Sequence, residues 1–220
     1  AHAIITPMSI EKMSGLEIMQ AMRDGKLPMP SIAVTIPMKG VAVEQGRIVF
    51  EAMADDLAAL KQEALEKVVQ RSAELHVEHI ATGGDPFELG SARPLDFGHW
   101  AAHKLEQLSE FRVSHGEAVA VGMAIDLIYA RRTGLLPEAE AERILGVIQG
   151  LGFELFAPVK QIRSTTGRQD MLDGLEEFRE HLGGRLSIPM IRAPGVRLEI
   201  HEIEGAVVKA AFDELRECYG

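Results

Sequence analysis

Residues 116–133 constrain the fold more than any other part of the chain. They are rich in Ala, Val and Met, and on a helix they would be apolar on nearly all sides. A helix on a protein surface keeps one polar face, whereas a helix that is apolar all round has to be covered by other elements. The sequence therefore predicts a buried central helix over 116–133 inside a multi-helix domain.

The chain around this helix offers several elements that could cover it. Apolar spacing and Gly or Pro boundaries predict further helices over 57–79, 97–108, 137–151, 168–182 and 202–218. Residues 186–191 and 196–200, separated by a Pro-Gly turn, predict a β-hairpin, and Pro189 places its strand at an edge. The expected fold is mainly α, with a C-terminal β-hairpin.

Residues 1–56 differ in character from the rest of the chain. They predict one short helix beginning near Ser14 and strands over 32–36, 41–43 and 47–50, with a turn at 44–46. So small an α+β segment cannot bury a core alone. We expect two domains, 1–56 and 57–220, with the first packing on the second as an extra edge or pairing with a second copy in a homodimer.

Charge and composition exclude several classes of partner. Lys and Arg number 23 against 33 Asp and Glu, a net charge of −10 that does not suit binding to nucleic acid. A single cysteine, Cys218, excludes an intrachain disulfide. No apolar run is long enough for a membrane span, and no signal-peptide pattern is seen, so we expect a cytoplasmic protein without a membrane partner.

Three histidines lie close together in the sequence. His99 and His103 are four residues apart, which puts both imidazoles on one face of a helix, and His115 follows at the start of the buried helix. Neutral imidazoles are good zinc ligands, and two helices can supply several. A pair at this spacing is also common as a surface or capping feature, so the spacing alone leaves both interpretations open.

The motifs around these histidines resemble a known family. LDFGH at 95–99, followed by His103 and Glu106, and then HGEAVAVGM at 115–123 are similar to the C-terminal domain of dehydroquinate synthase and the wider sugar phosphate cyclase group. The resemblance covers residues 57–220 and implies a helical metal-binding domain of a lyase. Such enzymes oxidise a sugar phosphate transiently with NAD, eliminate phosphate and close a carbocycle.

The resemblance also implies roles for individual residues. His99 and His115 match zinc ligands, His103 matches a histidine that contacts substrate and supports proton transfer, and Arg93 matches a residue that binds the substrate's charged groups. Asp96, Trp100 and His76 stand where the family usually has Asn, Thr and a substrate-binding Lys. We expect Asp96 and His76 to bind substrate despite these departures from the family pattern. The departures favour a branch of the family that acts on a different sugar phosphate.

Two parts of the family's pattern are not found. The third zinc ligand is a Glu in an Ala-Glu-x-x-Lys-like segment, and none of the nearby carboxylates lies in such a segment: Glu63, Glu66, Glu74 and Glu78. We interpret those as solvated helix residues, which leaves water, a substrate group or a carboxylate outside the motifs as the third ligand. NAD is implied by the family, but no glycine-rich loop lies between a strand and a helix.

Other functions stay open on the sequence alone. The chain could be a non-catalytic remnant or a partner-binding domain, although the resemblance favours an enzyme. Residues 14–53 also resemble the opening of hotdog-fold acyl-CoA thioesterases, but the catalytic histidine run of that family does not follow near residue 57.

Overall fold

The computed structural model describes most of the chain from residue 96 onward and shorter stretches before it. The described residues are 43–44, 47–48, 54–59, 61–68, 70, 96–161, 167–181 and 186–220. Their helices are α1 (Ala54–Ala58), α2 (His99–Leu108), α3 (His115–Arg132), α4 (Glu138–Gly150), α5 (Gly167–His181) and α6 (Gly205–Tyr219), with a further helical segment at 62–68. Their strands are β1 (Val43–Glu44), β2 (Arg47–Ile48), β3 (Ile188–Ala193) and β4 (Val196–Ile200).

Helix α3 lies at the centre of the described structure. Every residue from Ala118 to Ala130 is buried, as the apolar composition predicts. Helices α2, α4 and α6 and strand β3 all pack against it. The predicted mainly α fold with a C-terminal hairpin is confirmed. These elements surround α3 because a helix that is apolar on all sides has to be covered.

Helix α2 lies between α3 and α5. Its large apolar side chains Trp100 and Leu105 are almost completely buried. On the α5 side, Gly174 allows the two helices to approach closely, since a Cβ there would lie 2.8 Å from Lys104 Cβ. The Lys104 ammonium also forms an ion pair with Glu177 of α5. These contacts fix α2 from both sides.

The C-terminal hairpin forms as predicted, with its turn at 194–195. Strands β3 and β4 pair in antiparallel fashion, with Pro189 opposite Glu199 and a bulge between Ile191 and Ala193. Residues 188–191 are buried, and β3 packs on α3, whereas β4 is more exposed. The hairpin thus covers one side of the central helix.

The predicted helix over 57–79 is wrong at its beginning. Helix α1 starts at Ala54 and ends at Ala58, and helical structure resumes at residue 62. The Lys61 N–H donates to the Asp56 carbonyl oxygen at 2.9 Å, a six-to-one turn that ends a helix. Apolar spacing continues through this break, so the sequence pattern does not reveal it.

Smaller differences concern other boundaries. A 3₁₀ helix at Ala157–Gln161 was not expected. Near the N-terminus, β1 and β2 form a hairpin in which Glu44 pairs with Arg47, so Glu44 belongs to a strand and the turn is shorter than predicted. The elements predicted before residue 43 and the later part of the predicted helix over 57–79 lie outside the described residues. The domain boundary at residue 56 stays a prediction.

In the described part of the chain, none of the helices combines the length and the apolar character that crossing a membrane requires.

Candidate metal centre

The start of α2 sets the position of two histidines. The helix begins at His99 and not at the predicted Phe97, because Gly98 is its N-cap and adopts φ 75°, a left-handed conformation that suits glycine. His103 and Glu106 follow four and seven residues after His99, so the three side chains share one face of α2.

The start of α3 sets the position of the third histidine. Ser114 is the N-cap, and its hydroxyl accepts a hydrogen bond from the Glu117 N–H while the Glu117 carboxylate accepts one from the Ser114 N–H at 2.9 Å. This capping box makes His115 the first residue of the helix, and not the residue before it as predicted. The HGE motif therefore holds the imidazole at a helix end that faces α2.

A backbone contact between two glycines joins the two motifs. A Cβ on Gly122 would lie 2.0 Å from the Gly98 carbonyl oxygen, and a Cβ on Gly98 would lie 2.5 Å from the Met123 nitrogen. Only residues without a side chain allow α2 and α3 to approach this closely. The glycines of both motifs are thus needed to bring the histidines of both motifs together.

The four side chains form a cluster between α2 and α3. The His99 ring centroid lies 5.6 Å from that of His103 and 5.3 Å from that of His115, and the His103 and His115 centroids are 6.0 Å apart. His115 Nδ1 lies 3.2 Å from Glu106 Oε2. His103, Glu106 and His115 each offer one ligand atom, and these atoms all lie within 4.8 Å of one another.

His99 is held in a neutral form that suits metal binding. Its burial, opposed in part by the Phe97 carbonyl and aided by the nearby His115 and His103, lowers the pKa of His99 to about 4. With Nδ1–H donating to the Phe97 carbonyl oxygen at 3.2 Å, Nε2 keeps its lone pair for a ligand. A backbone carbonyl that fixes a histidine in this way is typical of metal sites.

The donor set fits a divalent ion. Three imidazoles and one carboxylate are the ligand types that zinc takes in catalytic sites. His103 is exposed, and the side chain of His115 is 42% exposed, so a substrate could reach the cluster from solvent. The Glu106 side chain is only 17% exposed, and its Oε2 lies 3.2 Å from His115 Nδ1.

The remaining predicted site residues are only partly covered by the structure. Asp96 lies in the turn just before α2 and is half-buried, while Arg93 and His76 lie outside the described residues. Glu63 and Glu66 are exposed, as expected for solvated helix residues. The sequence pattern does not single out Glu106 as a ligand, although its three-residue spacing from His103 places both side chains on one face of a helix.

Curated relatives match this chain over much of its length. A 2-epi-valiolone synthase from Actinosynnema mirum is 30% identical over 168 residues, which cover 76% of this chain and 43% of the relative. A 3-dehydroquinate synthase from Aeropyrum pernix is 37% identical over 112 residues, covering 51% of this chain and 30% of the relative. The chain thus spans less than half the length of these relatives.

Solved structures show the same fold. A 2-epi-5-epi-valiolone synthase from Streptomyces hygroscopicus subsp. jinggangensis, with NAD⁺ and Zn²⁺ bound, superposes with a TM-score of 0.72 at 22% identity, covering 96% of this chain and 54% of that one. A 2-deoxy-scyllo-inosose synthase complexed with carbaglucose-6-phosphate, NAD⁺ and Co²⁺ gives 0.62 at 16% identity, covering 84% of this chain and 49% of that one.

The family match includes both histidine motifs and begins earlier than the motifs suggested. The family model for the 3-dehydroquinate synthase C-terminal domain matches residues 40–171, and not only residues from 57 onward. It therefore extends into the segment expected to be separate and overlaps the end of the thioesterase-like stretch at 14–53. Since the match covers more than half of the chain, the chain belongs to the 3-dehydroquinate synthase C-terminal family.

Proposed function

We propose that this chain is the metal- and substrate-binding part of a sugar phosphate cyclase, which eliminates phosphate and forms a carbocycle. The observation that carries this proposal is the convergence of His99, His103, Glu106 and His115 at the contact between α2 and α3. Because the chain spans less than half of its curated relatives, the complete reaction is assigned to a protein that also contains the remaining part.

The ion would be held by His99 and His115, the two histidines that the family resemblance assigns to zinc, with Glu106 as the third protein donor. The distances alone would favour His103 in place of His99, since the ligand atoms within 4.8 Å of one another are those of His103, Glu106 and His115. His99 presents Nε2 because its Nδ1 is bonded to Phe97. Glu106 lies 3.2 Å from His115 and is the partly buried carboxylate of the cluster, which supports it as the third ligand, although the sequence pattern favoured water, a substrate group or a carboxylate outside the motifs. When bound, a divalent ion would polarise a substrate hydroxyl or carbonyl oxygen.

The other residues would act on the substrate. His103 is the exposed imidazole of the cluster and could accept or donate a proton at a ring nitrogen. Asp96, just before α2, could accept hydrogen bonds from substrate hydroxyl groups but, unlike Asn, could not donate one when ionised. Arg93 and His76 would bind the phosphate end of a small sugar phosphate.

NAD is assigned to the part of the cyclase that this chain does not match. Both neighbouring structures hold NAD⁺, and each is about twice as long as the stretch that superposes. The chain has no glycine-rich loop in the context that dinucleotide binding needs. We expect no saturable calorimetric signal with micromolar NAD and the isolated chain; a clear micromolar isotherm would contradict this assignment.

Metal analysis of the purified chain tests the proposal. We expect one zinc per chain, retained by His103→Ala and by the control His201→Ala, which changes a histidine at the end of β4 outside the cluster. His99→Ala and His115→Ala should lose the metal. If His103→Ala loses zinc and His99→Ala keeps it, His103 is the metal ligand and His99 faces the substrate. A metal-free wild-type protein of unchanged stability would favour the non-catalytic alternative.

A cysteine variant tests the third ligand directly. Glu106→Cys loaded with Co²⁺ should show a thiolate-to-cobalt charge-transfer absorption if residue 106 contacts the ion. Absence of that band, together with Co²⁺ affinity in Glu106→Gln equal to that of the wild type, would make Glu106 a hydrogen-bond partner of His115 instead.

A further inference from the structure

A fully buried carboxylate lies in the middle of α3. Asp126 has no exposed surface, although it is surrounded by the apolar residues of the central helix. Burial raises the pKa of Asp126 to about 7, while hydrogen bonds from Trp100 and Gly98 act in the opposite direction. A carboxylate is disfavoured in such surroundings unless its hydrogen-bond partners hold it there, so the partners identify what it does.

Both carboxylate oxygens are used, and both contacts reach the start of α2. The Gly98 N–H donates to Asp126 Oδ2 at 2.8 Å, and Trp100 Nε1–H donates to Oδ1 at 2.9 Å. Gly98 and Trp100 are the residues directly before and after His99. One side chain of α3 therefore holds both neighbours of a proposed metal ligand.

The position of Asp126 also complements the helix end. Gly98 caps α2 without a side chain of its own. A negative group near the first turn is favourable because the N–H groups there carry partial positive charge. Asp126 places its acceptor oxygens there from the neighbouring helix, with a negative charge when the carboxyl group is ionised, beside the close backbone contact of Gly98 with Gly122.

Together these contacts leave α2 little freedom relative to α3. The glycine contact sets the distance between the helices. The two hydrogen bonds, which diverge from one carboxylate to points on either side of His99, oppose rotation of α2 about its axis. Such a rotation would carry His99 away from His115, whose ring centroid lies 5.3 Å from it.

We propose that Asp126, with Trp100 as its partner, is a positioning residue that fixes His99 against His115. This inference rests on the proposed metal site. It also gives a role to Trp100, whose large side chain stands where the family usually has Thr: the indole N–H spans the distance from α2 to the carboxylate in α3. Neither residue is proposed to touch the ion or the substrate.

Two variants and a matched control test the proposal. Asp126→Asn keeps the size but has one acceptor oxygen in place of two, and Trp100→Phe removes one donor and leaves the carboxylate. Tyr129→Phe, three residues further along α3, removes a buried hydroxyl that accepts a hydrogen bond from the Glu204 N–H at 3.2 Å. All three changes remove one hydrogen bond, but only the first two concern His99.

We expect Asp126→Asn and Trp100→Phe to weaken Co²⁺ binding ten- to hundredfold by calorimetry, the range seen when residues behind a ligand are changed. Their Co²⁺ absorption spectra should also change. Tyr129→Phe should have a lower melting temperature, but its Co²⁺ affinity should stay within about twofold of the wild-type value. Equal affinity in Asp126→Asn and wild type, or an equal loss in Tyr129→Phe, would overturn the proposal; Trp100→Phe decides if Asp126→Asn does not fold.

Failure of the metal site can be separated from failure of this inference. If the wild-type chain binds no metal, the proposed function is wrong. The positioning role is then judged from the NMR signals of the His99 ring, which should move in Asp126→Asn and Trp100→Phe and stay in place in Tyr129→Phe. Unmoved His99 signals in all three variants would refute it.

Discussion

A methyl group at Gly122 should separate the two helices that form the candidate metal centre. In Gly122→Ala, the new Cβ would lie 2.0 Å from the Gly98 carbonyl oxygen, 2.8 Å from the Gly98 carbonyl carbon and 3.0 Å from Gly98 Cα. All three atoms are backbone, so no side-chain rotation can relieve the clash. Reaching even 3.0 Å from the oxygen requires a shift of about 1 Å, the difference between 3.0 and 2.0.

The size of the effect follows from this geometry. Overpacking a core typically destabilises by about 1–3 kcal/mol, and a clash between two backbones places this variant near 3 kcal/mol. For a chain of this size, that corresponds to a fall in melting temperature of about 6–12 °C. Because His99 follows Gly98 directly, the same shift should weaken zinc or Co²⁺ binding.

The control is another glycine in a helix. A Cβ at Gly146 of α4 would meet nothing within 4 Å, so Gly146→Ala should stabilise by about 0.5–1 kcal/mol through a less flexible unfolded chain. Thermal denaturation followed by circular dichroism, with Co²⁺ titration of each variant, provides the measurement. If the two alanine variants have the same melting temperature and the same Co²⁺ affinity, the close approach of α2 and α3 does not determine the geometry of the metal site.

Three further results are expected. The pKa of Asp126 is about 7 in the folded chain and 3.8 in the unfolded chain, so between these pH values the folded chain keeps a proton that the unfolded chain has released. Urea denaturation should therefore show that the stability of the wild type, relative to Asp126→Asn, falls by about 4 kcal/mol as pH rises from 4 to above 7. A stability difference that does not change with pH would contradict this. Ser114→Ala removes the cap of α3 and should lower the free energy of unfolding by about 1 kcal/mol in the same assay, whereas a change near zero would mean that the capping box contributes nothing. A chain beginning at Ala54, the first residue of α1, lacks residues 1–53 and should melt lower or associate differently from the whole chain, since the segment 1–56 is predicted to pack on the helical part or on a second copy. Identical melting and sedimentation would make residues 1–53 a tail.

Helix positions were predictable where the sequence contains local signals. The Pro-Gly turn at 194–195 forms as predicted. Helix α4 agrees with its prediction to within one residue at each end, since Pro137 is the N-cap and not part of the first turn, and Gly152 follows the C-cap Leu151. Burial of α3 was predictable because its composition leaves no polar face. The end of α1 was not, since its six-to-one turn interrupts an apolar spacing that continues unchanged.

The candidate site was predictable only in part, because several of its contacts join distant residues. The histidine motifs predicted the cluster. Asp126, in contrast, is a single charge in an apolar run, and its partner Trp100 precedes it by 26 positions, so no local pattern links the two. The contact of Gly98 with Gly122 likewise requires two packed helices. The position of Glu106 beside His103 was predictable, since a spacing of three residues puts both side chains on one face of a helix.

The central position of α3 also determines when the chain can fold. Part of its cover comes from β3 and α6, which end at residues 193 and 219. During synthesis, α3 leaves the ribosome before either element exists, so its apolar surface stays open while the following residues are translated. Native packing must then wait until the last helix has emerged. Complete burial of residues 118–130 therefore requires the chain to have been synthesised at least as far as the end of α6.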